Sequence, residues 1–177
     1  LDVLLRCQAL KSILDRDGRF SGDKHAWNCI VESKPKKKEE FISVLDQFYD
    51  EGNFTAAERV EFMTELTGMF PFSEVMSAKS YKALEQAQIP AIGEYDPDLE
   101  VCWFVPREVI EKKTKNGKTY VVVKVIDDGG NQFDVRCWTY NPEKDTILTN
   151  KVYIAKLSYD ENWGFSVRVI GKNFKML

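Results

Sequence analysis

Histidine is the scarcest chemical resource in this chain, with one residue, His25, in 177. A single imidazole leaves little room for a Ser-His or Cys-His nucleophilic scheme. Four cysteines stand at positions 7, 29, 102 and 137, and none is spaced as Cys-x-x-Cys. With no secretory leader and no long apolar run, the chain reads as cytoplasmic, with reduced thiols and no membrane span. It has no Walker loop, no Gly-x-Gly-x-x-Gly turn and no nucleophile elbow. Internal repeats and low-complexity tracts are absent as well.

Two small clusters invite a metal and then fail to complete a site. His25 and Cys29 lie four apart, a spacing that chelates on one helix face, and Cys7 is the nearest further ligand in kind. Three ligands without a fourth do not make a structural zinc site. Asp127 and Asp128 are adjacent and followed by two glycines, which reads as a turn. The expectation is therefore no catalytic centre, no metal and no cofactor.

What is present is an uneven charge. The overall formal charge is −3. Residues 1–99 carry 12 Lys+Arg against 18 Asp+Glu, whereas residues 100–177 carry 13 against 10. The basic excess sits in the C-terminal part, where a polyanion would be met.

The N-terminal part patterns as helices. Residues 1–14 read as one helix with Leu1, Leu4, Leu5, Leu10, Ile13 and Leu14 inward. Asp23 is placed to cap a second helix carrying His25, Trp27, Cys29 and Ile30. A third runs from 39 to about 49 behind the basic run Pro35-Lys-Lys-Lys38. Lysines at a helix start oppose its dipole, which slightly favours a phosphate partner there. Thr55-Ala-Ala-Glu58 is a capping box opening a helix to about Gly68. Residues 73–86 are helical in part, and residues 89–92 are extended. Residues 93–98 form the boundary, which gives a helical region at 1–98 and a barrel at 99–177.

The C-terminal part patterns as strands. Residues 101–110 are β-branched and aromatic, with Pro106 demanding an edge or a bulge. Residues 119–126 are nearly all β-formers. Residues 133–140 alternate, with Phe133, Val135 and Cys137 on one face and Asp134, Arg136 and Trp138 on the other. Residues 141–150 have room for a short helix. Residues 151–158 alternate with Val152, Ile154 and Leu157 inward, and residues 163–170 make the fifth strand. The fold class is α+β: a helical region followed by a five-stranded β-barrel of the oligonucleotide-binding type.

In such a barrel the second and third strands present the binding face. Val121, Val123 and Val125 point to the core, leaving Tyr120, Val122 and Lys124 beside Arg136, Trp138 and Tyr140. Rings stack on bases and cations meet phosphates without any sequence readout. The loop between the first two strands adds Lys112, Lys113, Lys115 and Lys118 as a grip on a phosphate backbone. Single-stranded DNA is the expected partner. Two other functions fit: a module docking a clamp or another replisome subunit, and a stand-alone RNA-binding protein.

Three stretches carry a resemblance. Glu58-Arg-Val-Glu-Phe-Met-Thr-Glu-Leu-Thr-Gly-Met-Phe-Pro71 resembles the helix ending in Gly-His-Pro that precedes the barrel in bacterial C-family replicative DNA polymerases, the DNA polymerase III alpha subunit. Thr114-Lys-Asn-Gly-Lys-Thr-Tyr-Val-Val-Val123 is similar to that family's T-K-x-G-K-x-M-x-F-V. Ile126-Asp-Asp-Gly-Gly-Asn-Gln-Phe-Asp-Val-Arg-Cys-Trp138 is similar to its L-x-D-x-x-G-x-I-E-V-x-L-F. The likeness covers roughly residues 55–170. Met69-Phe70 stand where the family has its histidine, with one residue inserted, and no clamp-binding motif is evident. The resemblance implies a non-catalytic fragment of a bacterial or phage DNA-directed DNA polymerase. The polymerase carboxylates would then lie upstream, with the rest of that chain as a partner, and the barrel would guide single-stranded template during replication.

Overall fold

The computed structural model describes residues 1–167 and 173–177. The chain divides into two compact units, Leu1–Glu74 and Val75–Leu177. Among the described residues, no helix is long and apolar enough to cross a membrane.

The first unit is helical. α1 (Asp2–Arg6) and α2 (Lys11–Asp17) replace the single helix expected over residues 1–14. The break falls at Gln8. Gln8 adopts φ 58°, and its side-chain amide donates to Asp23 Oδ2 at 2.8 Å. Asp23 opens α3 (Asp23–Trp27), which continues as a π-helical turn, Asn28–Glu32. Asp23 does not cap that helix from outside. It is buried, and its Oδ1 accepts the backbone N–H of Lys24 at 2.9 Å and of Phe54 at 2.8 Å. Charge-assisted bonds of this kind are what make a buried carboxylate tolerable.

α4 spans Lys38–Gln47 and α5 spans Ala56–Thr67. The capping box is formed, with Glu58 N–H donating to Thr55 Oγ1 at 3.3 Å and Thr55 N–H to Glu58 Oε2 at 2.8 Å. Gly68 ends α5 in the left-handed conformation, φ 71°. α6 (Phe72–Val75) closes the helical stretch.

The second unit opens with α7 (Ala78–Gln86) and a 3₁₀ turn, Ile92–Glu94. Residues 75–98, counted with the helical region on sequence, keep company with the strands. Trp103 N–H donates to Pro90 O at 2.9 Å, and Ile92 is buried in the sheet's core. Seven strands follow: β1 (Val101–Lys113), β2 (Thr119–Ile126), β3 (Gln132–Cys137), β4 (Tyr153–Lys156), β5 (Ser158–Asp160), β6 (Gly164–Val167) and β7 (Phe174–Met176). They form one mixed sheet in the order β5-β6-β3-β2-β1-β4-β7, with β3 and β6 parallel and every other pair antiparallel.

That order requires curvature. β5 is one edge of the sheet and β4 lies next to the other, yet only Leu157 separates them in the chain. The sheet therefore curls round into a barrel-like form. The concave side is the core, built from Phe104, Val121, Val123, Val125, Val135, Tyr153, Ala155, Leu157, Val167 and their neighbours. Pro106 sits beside a register shift between β1 and β2, the kind of bulge at which a proline is tolerated in a sheet. The phase expected for residues 151–158 is corrected in part: Leu157 is inward, but Tyr153 and Ala155 share its side and Ile154 does not join that core. Residues 141–150 form turns instead of a helix. Of the strand expected at 163–170, residues 168–170 lie outside the described residues.

Candidate nucleic-acid interface

The convex face of β1, β2 and β3 is assembled in rows, because directly paired residues of an antiparallel ladder share a face. One row pairs Lys112 with Tyr120. The next pairs Ile110 and Arg136 with Val122. A third pairs Glu108 and Asp134 with Lys124. The expected split of β2 holds: Val121, Val123 and Val125 are in the core.

Aromatic rings gather at one end of this face. Tyr120 and Trp138 stack with centroids 4.8 Å apart and planes at 26°. Trp163, in the turn between β5 and β6, stands perpendicular to Trp138 at 6.3 Å and 80°. Trp138 is 39% exposed and Trp163 60% exposed. Solvent-facing tryptophans held against one another are unusual on a surface with no partner, since their burial is favourable.

Trp163 is the residue that sequence reading left out of the site. It sat in the strand count as the start of the fifth strand. The available signal was its place directly after the turn Asp160-Glu-Asn162, at a hairpin tip where no core position exists. Its backbone is pinned from both sides. Its N–H donates to Asp160 Oδ1 at 3.0 Å, and its carbonyl accepts from Arg136 Nη1.

The cations are placed unequally. Lys112 lies in the Tyr120 row, whereas Lys113 pairs with Thr119 and so points to the other face. Lys115 and Lys118 belong to the connecting loop, which is closed by Thr114 N–H to Lys118 O at 2.8 Å and Gly117 N–H to Thr114 O at 2.9 Å. All four are exposed. Gly117 takes φ 76°, a conformation that suits glycine at this turn. Lys124 is engaged by Glu108 at 2.7 Å, and that carboxylate holds its ammonium above the ordinary lysine range. Arg136 points its guanidinium at the Trp163 carbonyl, so it acts on the site through Trp163. Val122 is buried despite its convex position. Tyr140 packs against the core cluster and does not extend the aromatic row.

The residues weighed for metal and anion chemistry have other partners. His25 Nδ1 accepts the Ser21 N–H at 2.9 Å, and its Nε2 meets Leu45 O at 2.9 Å. Cys29 Sγ donates to Val44 O at 3.3 Å. Asp127 is buried as a turn-former, its carboxylate accepting the Asn131 N–H at 2.8 Å and the Asn131 side-chain amide at 3.1 Å. Asp128 accepts the Tyr81 hydroxyl at 2.9 Å. At the start of α4, Glu40 Oε2 takes the N–H groups of Lys36 at 2.9 Å and Lys37 at 3.3 Å. These bonds satisfy backbone N–H groups at the start of α4.

No protein-family model matches this chain, and no curated protein matches it either.

Proposed function

We propose that Val75–Leu177 is an oligonucleotide-binding barrel that holds single-stranded DNA without reading its sequence. Joined through Leu157, β4 and β5 count in this reading as one kinked strand that pairs with β1 on one side and β6 on the other, so that β1, β2, β3, β6 and the kinked strand are the five strands of the barrel and β7 is an addition on β4. Its second and third strands carry the face used by such barrels. The observation that carries the reading is the stack of half-buried Tyr120 and exposed Trp138 on that face, with Lys112 in the same row as Tyr120. Bases need flat apolar partners and phosphates need cations, and both are available within one row.

The three sequence stretches given above favour a setting in DNA replication. There the chain is a non-catalytic part of a replicative polymerase of the DNA polymerase III alpha type, working in the cytoplasm. Tethering to a polymerase makes weak intrinsic affinity sufficient, because the effective concentration of the template is high.

The test is fluorescence anisotropy of a labelled single-stranded DNA titrated with this chain at two salt concentrations. Binding that weakens steeply with salt supports the reading, and absence of binding at high protein concentration rejects it. A protein-docking role is the second reading. It is favoured by α4, which has no buried residue, by Ile42 at 50% exposure, and by Tyr49 just beyond that helix at 58%. Capture of a replisome subunit that is lost on Ile42→Glu would support it.

A further inference from the structure

We propose that Trp163 is the principal stacking platform of the interface, and that Asp160 is a positioning residue that holds it. This inference rests on the single-stranded DNA reading and names the group on which a base lands. The Tyr120 and Trp138 rings are already in contact at 4.8 Å, so no base enters between them. Trp138 also has Trp163 perpendicular to it at 6.3 Å. Trp163 keeps the largest open surface of the three rings, at 60% exposure.

The platform is also rigid. Asp160 Oδ1 accepts both the Asn162 N–H at 2.9 Å and the Trp163 N–H at 3.0 Å. On the following side Gly164 turns the chain at φ 67°, and Arg136 holds the Trp163 carbonyl. A ring presented to solvent gains nothing in the free protein from a fixed backbone. For a ligand it removes part of the ordering cost of binding. The arrangement fits one unpaired base on the Trp163 ring, with the backbone of the strand running toward Lys112.

The experiment compares an oligothymidylate with an abasic oligonucleotide of equal length, each titrated against the wild type, Trp163→Ala, Trp163→Phe and Asp160→Ala. The wild type is expected to prefer the base-bearing strand. Trp163→Ala should weaken oligothymidylate binding about 5-fold or more, the equivalent of ~1 kcal/mol for a lost stack, and should leave abasic binding unchanged. Trp163→Phe should restore part of the preference. Asp160→Ala should weaken oligothymidylate binding less, and should add nothing in the Trp163→Ala background, because it acts through that ring. Thermal melts establish that each variant is folded. Normal binding and normal base preference in a folded Trp163→Ala protein would overturn this inference and leave the DNA reading standing. A wild type that binds neither strand would overturn both.

Discussion

Tyr120, in β2, and Trp138, just beyond β3, stack on each other with centroids 4.8 Å apart and planes at 26°. The pair serves as both fold and surface: it closes the end of a two-strand ladder and still offers ring area to solvent. Trp138→Ala removes this contact and the perpendicular one to Trp163. The expected outcome is a loss of about 0.5–1.5 kcal/mol of stability from the stacked pair, read by urea denaturation. Weaker single-stranded DNA binding should accompany it, by about 1–3 kcal/mol for a lost base stack. Unchanged binding in the folded variant would remove Trp138 from the interface.

The lysine loop is expected to act through charge alone. Reversal of Lys112, Lys113 and Lys115 to Glu should lower DNA affinity and flatten the dependence of log K on log salt, since each phosphate contact contributes to that slope. Because Lys112 shares a row with Tyr120 and Lys113 does not, the single reversal at 112 should exceed the one at 113. Equal effects would show that the loop attracts DNA only at long range.

Glu108 pairs with a cation of the convex face, and on the proposed reading it competes with DNA for it. Its carboxylate lies 2.7 Å from Lys124 Nζ on an exposed part of the convex face. Glu108→Gln is therefore expected to tighten DNA binding at low salt, and Lys124→Ala to change it less than Lys112→Ala does. Anisotropy titrations of the three variants decide the matter. A tighter complex that persists in the Glu108→Gln, Lys124→Ala double variant would place the effect elsewhere.

Burial pushes the Cys102 and Cys137 thiols up to about 12 from an ordinary 9.0, with Asp145 adding to the effect at Cys137. The native state thus holds these protons more tightly than the unfolded chain does. Stability from this source is complete below pH 9 and falls as pH rises from there toward 12. Urea midpoints measured at pH 8 and pH 10.5 should show the drop, and Cys102→Val should reduce it. In the folded protein at pH 8, Cys7, which is half-buried, should react with a thiol reagent well before the three buried cysteines.

The capping box at α5 gives a prediction for the helical unit. Thr55→Ala should destabilise it by about 1 kcal/mol, the usual worth of an N-cap side chain. The Thr55 N–H, above all, and to a smaller extent the Thr55 hydroxyl, which donates to Glu58 Oε2 at 2.8 Å, hold the Glu58 carboxyl below its ordinary 4.5, and only the hydroxyl's share is removed by Thr55→Ala. That share is present above that pH and is lost as pH falls through the lowered value. Circular dichroism melts at pH 7 and pH 4 should show that Thr55→Ala matters less at the lower pH.

Elements governed by local chemistry were legible in the sequence. β2 was bounded correctly at 119–126 because β-formers end at two aspartates and two glycines. The α5 start was legible because its capping box is self-contained. Elements decided by distant partners were not. The break near Gln8 depends on an acceptor, Asp23, fifteen positions away. The phase of β4 was misread because Tyr153 looked polar beside Val152 and Ile154, yet its ring lies in the core while its hydroxyl accepts the Leu148 N–H at 3.0 Å. At the candidate site the face was legible from period-two alternation. What alternation leaves open is who occupies each cation and which turn delivers another ring. That Glu108 holds Lys124 and that Arg136 holds the Trp163 carbonyl are answers that the pairing of the strands and the turn between β5 and β6 provide.

Leu157 is the one residue between β4 and β5, strands that stand toward opposite ends of the sheet order. Its N–H donates to Glu100 O at 2.8 Å, and its carbonyl accepts the Tyr95 hydroxyl at 3.0 Å. Those bonds join segments more than fifty positions apart. The hairpin that presents Trp163 follows directly from this hinge, so it takes its final place only after pairings of high sequence separation have formed. Such pairings are slow to find. Affinity for a single strand should therefore appear late in refolding, with the closure of the sheet, and would report on that closure more sensitively than secondary-structure content does.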